Sequence, residues 1–193
     1  MVSGLALSSC RKSEVVPDDT QNSDIQKPST SVPLITQGKD ATATDTSAND
    51  VTGYIRVQLA KDSIQNDNVL IKFKPTASAS YVPGEDAPTF QGFGLVSLSS
   101  LSSDRVPLAI NALPLTKKGL CIGLKFNTHT DDVYMLKLQA IKSVPDNYEI
   151  WVKDAYVKDS LNVRLYNTYS FNVYHSDTAS TSANRFKLVI RSK

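Results

Sequence analysis

Tyr148-Glu149-Ile150-Trp151-Val152-Lys153-Asp154 sets an apolar side chain at alternate positions. In a β-strand, successive side chains point to opposite faces. Tyr148, Ile150 and Val152 therefore share one face, and Glu149, Trp151 and Lys153 share the other. The same period of two recurs along the chain. Ile55, Val57 and Leu59 alternate with Arg56 and Gln58, and Val69, Ile71 and Phe73 with Leu70 and Lys72. Leu120-Cys121-Ile122-Gly123-Leu124-Lys125-Phe126 reads as a further strand. Val133 to Ile141 alternates again, with Met135 and Lys137 among the residues between. Tyr169, Phe171 and Val173 face one way. Phe186, Leu188 and Ile190 close the chain, with Arg185, Lys187 and Arg191 opposite, and this last strand is expected to pair with one near Tyr169–Val173. No amphipathic helix interrupts the pattern, and Asp, Asn, Pro and Gly bound the segments. The expected fold is all-β: an antiparallel β-sandwich, Ig-like or jelly-roll-like, of about 7–9 strands.

The alternation begins at Val51. Between Glu14 and Asp50 stand seven acids and two bases, a net of −5, whereas residues 51–193 carry 17 bases and 12 acids, a net of +5. No aromatic residue precedes Tyr54. A stretch of Ser, Thr, Asp, Asn, Gln and Pro with few large apolar groups buries too little surface to offset its ordering entropy. Residues 11–50 are therefore expected to be a disordered acidic linker, and 51–193 the folded domain. Ser31-Val32-Pro33-Leu34-Ile35 is the one part of the linker able to dock. The bases of the domain alternate along strands instead of clustering, so nucleic-acid binding is not expected.

Leu7-Ser8-Ser9-Cys10 resembles a bacterial lipobox: a large apolar residue, two small ones and a cysteine. Small side chains suit the signal peptidase, and the thiol accepts the lipid. Residues 1–10 then form the remnant of a lipoprotein signal peptide, with lipidation at Cys10. The apolar run is short for a signal peptide and lacks a basic start, so the true start is expected upstream of Met1. Three acyl chains, at ~0.8 kcal/mol per buried CH₂, anchor firmly where a single chain is marginal. Arg11 and Lys12 beside the anchor add little attraction to lipid phosphates.

Four further marks follow in order. The first is Ile71-Lys72-Phe73, then the small-residue stretch Thr76 to Tyr81 and Glu85-Asp86-Ala87. The second is Leu98 to Asp104, then Leu108 to Pro114. The third is Tyr148 to Asp154 with the later Tyr169-Ser170-Phe171. The last is Asn184-Arg185-Phe186-Lys187-Leu188. Over about residues 52–191 the chain resembles a β-sandwich module of exported Bacteroidota surface proteins and lipoproteins. Where that module has an Asp-Gly turn, this chain has Asp104-Arg105. The resemblance implies a fold and an exported address; it brings no catalytic role with it.

Chemistry-bearing residues are sparse. His129 and His175 sit in polar turn contexts and read as solvent-exposed loop histidines; no zinc-ligand spacing surrounds them. Serines are abundant, but no Gly-x-Ser-x-Gly elbow exposes one. Asp131-Asp132 and Asp62 with Asn66, Asp67 and Asn68 offer hard oxygens, yet lack the EF-hand spacing and suit turns equally well. No metal or cofactor is expected. Cys121, in an apolar strand, reads as a small buried hydrophobe. Pairing of Cys121 with Cys10 would require the linker to fold back. Two placements of Trp151 are open: a stacking platform with Tyr156, Tyr166 or Tyr174, or a packed cross-strand partner.

The expected protein is thus not an enzyme. It is a lipid-anchored interaction or scaffold module on the periplasmic or extracellular face of the outer membrane. Its partners are the membrane and a glycan or another surface protein. The alternative is a carbohydrate-binding accessory lipoprotein of a glycan-uptake system.

Overall fold

The computed structural model describes residues 51–90 and 94–193; the expected signal remnant 1–10 with Cys10, and the linker 11–50, lie outside the described residues. Eleven strands and no helix occur among the described residues. The all-β expectation holds, but the strands outnumber the seven to nine read from alternation and join in one mixed sheet where an antiparallel sandwich was expected.

Strands β1 (Gly53–Ala60) and β2 (Asn66–Phe73) form a hairpin. Its turn is shaped by Asp62, whose Oδ1 accepts the Ile64 and Gln65 N–H groups at 2.8 and 2.7 Å. A short aspartate closing its own turn is a standard means of ending a strand. Next come β3 (Ala87–Pro88), β4 (Val96–Leu101) and β5 (Pro107–Leu113). At the β4–β5 turn, the Ser102 hydroxyl donates to Asp104 and accepts the Val106 N–H. Arg105 there has φ +66°. This is the backbone shape a glycine adopts freely, at the position where the Asp-Gly turn was missing.

The chain continues through β6 (Leu120–Thr128), β7 (Asp132–Lys142), β8 (Tyr148–Asp154), β9 (Asp159–Asn162), β10 (Thr168–Val173) and β11 (Phe186–Ser192). The strands follow one hydrogen-bonded path, β10-β7-β1-β2-β5-β4-β6-β11-β8-β9, with β3 paired to β5 beside it. One pair, β2–β5, is parallel, with Ile71 opposite Asn111 and Phe73 opposite Leu113. Asp86, from the Asp-Ala pair noted in the sequence, secures this crossover: its Oδ1 accepts the Ala112 N–H at 2.7 Å. The pairing of β1 with β7 shifts register between Arg56 and Val57. A bulge of this kind bends the strand and increases its twist. It also turns both Leu138 and Ile141 toward the core.

A continuous sheet of this many strands curls because adjacent strands twist. Strands far apart on the path therefore meet across the core. The Phe171 ring on β10 lies 4.6 Å from that of Phe186 on β11 and 5.6 Å from that of Phe126 on β6. Tyr134 and Tyr169 extend the cluster.

Three further sequence expectations are corrected. The C-terminal strand was expected to pair with one near Tyr169–Val173. It runs instead between β6 and β8 and meets β10 face to face. Alternation specifies which face is apolar, and two apolar faces satisfy each other by packing without sharing hydrogen bonds. Cys121 is exposed. Ile122, Leu124 and Phe126 point inward, so Cys121 shares the outward phase of Lys125. Arg185, expected to face solvent with Lys187 and Arg191, is buried. It precedes β11 and turns under the β10–β11 connection.

Candidate functional site

β4 pairs with β6 along its whole length, from Val96 opposite Thr128 to Leu101 opposite Gly123. It pairs with β5 only at Ser100–Leu108 and Leu101–Pro107. β5 then turns to run beside the far half of β2. The first halves of β2 and β4 consequently face each other with no strand between them. Asp67 bridges this fork: its Oδ2 accepts the Leu98 N–H at 2.8 Å, while Oδ1 accepts the Asn68 N–H. A side-chain carboxylate thus stands in for the missing strand partner.

A cleft of about 600 Å³ opens at the fork. Small-molecule sites typically fall between roughly 300 and 1,000 Å³. β4 contributes Ser97 and Ser99, and β6 contributes Lys125, Asn127 and Thr128. His129, His175 and Thr181, and from the β2 side Asn66 and Asp67 with Thr89 and Phe90, complete the lining. The Phe90 ring is 87% exposed, an unusual placement for a phenylalanine.

The hydrogen-bond capacity of this lining divides into spent and unspent parts. Asn66 receives a bond from Gln58 and donates to the Ser63 carbonyl. The Ser99 hydroxyl donates to the Lys125 carbonyl. Both nitrogens of His175 are engaged: Nδ1 lies 2.6 Å from Asp131 Oδ1, and Nε2 lies 2.8 Å from the Thr128 carbonyl. Carboxylates and carbonyls only accept, so both contacts are satisfied together when the ring is protonated and both nitrogens donate. The Thr128 carbonyl, and after it Asp131, raise the pKa of His175 above the ordinary imidazole value. The His175 backbone N–H and then its ring hold Asp131 below the usual carboxylate range. His129 donates from Nδ1 to the Leu95 carbonyl, which leaves Nε2 as an acceptor. Among the described residues, the side chains of Ser97, Lys125, Asn127 and Thr181 form no hydrogen bond, and the buried Thr89 and Thr128 hydroxyls have no partner.

Trp151, Tyr156, Tyr166 and Tyr174 do not line the cleft. The Trp151 indole donates to Glu149, and the Arg191 guanidinium lies 5.1 Å over its ring. Arg191 also donates to Glu149, closing a three-residue cluster that covers one indole face. The Tyr156 hydroxyl donates to Asp177, and its ring lies against Arg185. Tyr166 and Tyr174 are exposed. Both histidines are exposed on loops, as read from the sequence. Asp132, Asp62 and Asp67 are engaged by Lys61 and by backbone N–H groups. No group of three or more potential metal ligands occurs among the described residues.

Sequence reading singled out neither Lys125, Asn127 and Ser97 nor Phe90. The outward pair Lys125 and Asn127 on β6, with His129 just past the strand's end, is visible as alternation. Its juxtaposition with Phe90 and Ser97 depends on the fork. Comparison with protein-family models, with curated proteins and with solved structures returns no significant match.

Proposed function

We propose that this chain is an exported lipoprotein of the Bacteroidota type, anchored through Cys10 to the outer membrane. Its β-domain acts as a non-catalytic binding module. The observation that carries the binding role is the cleft at the fork between β2 and β4, with its row of uncommitted polar side chains on rigid strands. The cleft's carboxylate, Asp67, spends both oxygens on backbone N–H groups, which leaves it poorly placed as a general base. The curled sheet packs β6 and β11 against β10 across aromatic rings, and this supports reading the domain as a sandwich-type module. The address rests on Leu7-Ser8-Ser9-Cys10. The acidic stretch 11–50 serves as the spacer between lipid and domain.

Expression of the full chain behind a complete lipoprotein signal in a Bacteroidota host, with an alkyne-tagged fatty acid, tests the address. The expected result is label on the wild type in the membrane fraction, and none on Cys10→Ser, which becomes soluble. Label that persists on the Cys10→Ser protein refutes the anchor. Binding is tested on a glycan array with the full chain, where retention of intact glycan is expected. Release of shortened sugars would identify an enzyme instead.

A further inference from the structure

Building on the binding role proposed above, we infer that the cleft takes a saccharide carrying an anionic group, a carboxylate or a sulfate. Lys125 carries the argument. It lines the cleft and forms no ion pair among the described residues. The only carboxylate in the lining, Asp67, is held by two backbone N–H groups. A neutral ligand seated over Lys125 would strip water from its ammonium group and return no charge, which is unfavourable. An anion returns it.

The remaining groups suit the rest of a sugar. Asn127 stands directly opposite Ser97 in the β4–β6 register, so an amide and a hydroxyl converge beside the ammonium. Lys125 and Asn127 occupy alternate positions on one face of β6, about 6.8 Å apart along the strand, and His129 follows in the bend just past its end. That spacing lets one pyranose ring bridge Lys125 and Asn127, with His129 Nε2 accepting from a hydroxyl further along. This mixture of donors and acceptors matches sugar hydroxyls, which do both. Phe90 at the rim offers a bare aromatic face to the C–H side of a ring. The net charge of +5 on residues 51–193 draws anions toward the domain. A single lysine, without a backbone anion nest, is too little for the clustered charge of a di- or triphosphate.

The test is calorimetric titration of the full chain with three probes: oligogalacturonate, its methyl ester, and a sulfated galactan oligosaccharide. Binding of the first, the third or both, with at least a tenfold loss on esterification, supports the inference and tells carboxylate from sulfate. Lys125→Met should weaken binding of the acidic probe at least tenfold while Lys125→Arg retains most of it. Lys142→Met, which makes the same charge change away from the cleft, should leave binding within twofold. Phe90→Ala should weaken binding of acid and ester alike. Equal affinity for acid and ester overturns the anionic inference and leaves the binding role standing. Equal losses in Lys125→Met and Lys142→Met show diffuse charge attraction and overturn it too. Absence of binding to these probes overturns the anionic inference; absence of binding across the whole glycan array removes the proposed glycan-binding role.

Discussion

Arg185 and Asp154 form an ion pair at 2.9 Å with side-chain exposures of 1% and 0%. Both Nε and Nη2 of the guanidinium reach the carboxylate. Nη1 donates to the Asn172 and Ser180 carbonyls. The rings of Tyr156, Phe171 and Phe186 surround the cation at 4.8 to 4.9 Å. Two of the sequence marks, Tyr148 to Asp154 and Asn184 to Leu188, therefore meet in one network. A buried pair of this kind adds little net stability over an apolar replacement, but losing one partner leaves an uncompensated charge.

Asp154→Ala should cost about 3–5 kcal/mol, because Arg185 would remain buried without its counter-ion. Arg185→Met should be costly for the converse reason. The double variant Asp154→Ala with Arg185→Met should be less destabilised than the sum of the single losses. Urea melts of the three proteins measure this coupling. Additive losses would show that the two residues do not act as a pair.

The last strand presents a sharper contrast between neighbours. Phe186 is buried against Phe126, Phe171 and Tyr169, while Lys187 is exposed. Phe186→Ala should cost about 3–5 kcal/mol, and Lys187→Ala less than ~0.5 kcal/mol. Denaturant midpoints of the two variants give the comparison. Similar losses at both sites would contradict the central position of β11.

Two glycines with positive φ should respond differently to alanine. A Cβ on Gly119, at φ +79°, would clash with the Ile190 carbonyl oxygen. At Gly84, φ +88°, a Cβ meets nothing within 4 Å. Gly84→Ala should cost only the left-handed backbone penalty, about 1–2 kcal/mol. Gly119→Ala adds displacement of β11 and should exceed it by at least ~1 kcal/mol. Thermal melts rank them, and the reverse order would place Gly119 wrongly against Ile190.

The raised pKa of His175 has a definite sign in stability. Its folded value lies above the unfolded imidazole value of about 6.5. The charged ring therefore stabilises the fold fully below that pH, and the contribution is lost as pH rises through the folded value. Because the ring is half-exposed, the effect is small. His175→Gln should remove it. The stability difference between wild type and variant, followed by urea melts from pH 5 to 9, should shrink as pH rises. A difference that grows with pH would mean that Nδ1 and Nε2 do not both donate. Asp131 acts in the opposite direction: its lowered pKa contributes stability above about pH 4 that is lost on acidification.

Much of the fold was legible because burial has a simple periodic signature. Tyr148, Ile150 and Val152, like Ile55, Val57 and Leu59, proved buried as their alternation implied. Four strands were not read from alternation: β3 and β9 span only two and four residues, too short for a period of two to register, and β4 and β5 break the period, burying Ser99 with Ser100 and Asn111 with Ala112. Arg185 was misread because its type argued for solvent, and only the carboxylate of Asp154, 31 residues earlier, makes its burial tolerable. Cys121 was misread because its apolar neighbours Leu120 and Ile122 hid the phase of the strand.

From the chain alone came the all-β class and the faces of most strands. These are local properties, written in residue type and spacing. The order of strands, the parallel β2–β5 pair, the face-to-face meeting of Phe171 and Phe186 and the cleft at the fork were decided only by tertiary structure. Alternation tells a strand which side to bury and nothing about which neighbour to choose. That choice rests on twist, on register and on isolated side chains such as Asp67 and Asp86 that bond the backbone of a distant strand. The row Lys125, Asn127 and His129 was always present in the sequence; it became a cleft wall because β5 departs from β4 and leaves the fork open.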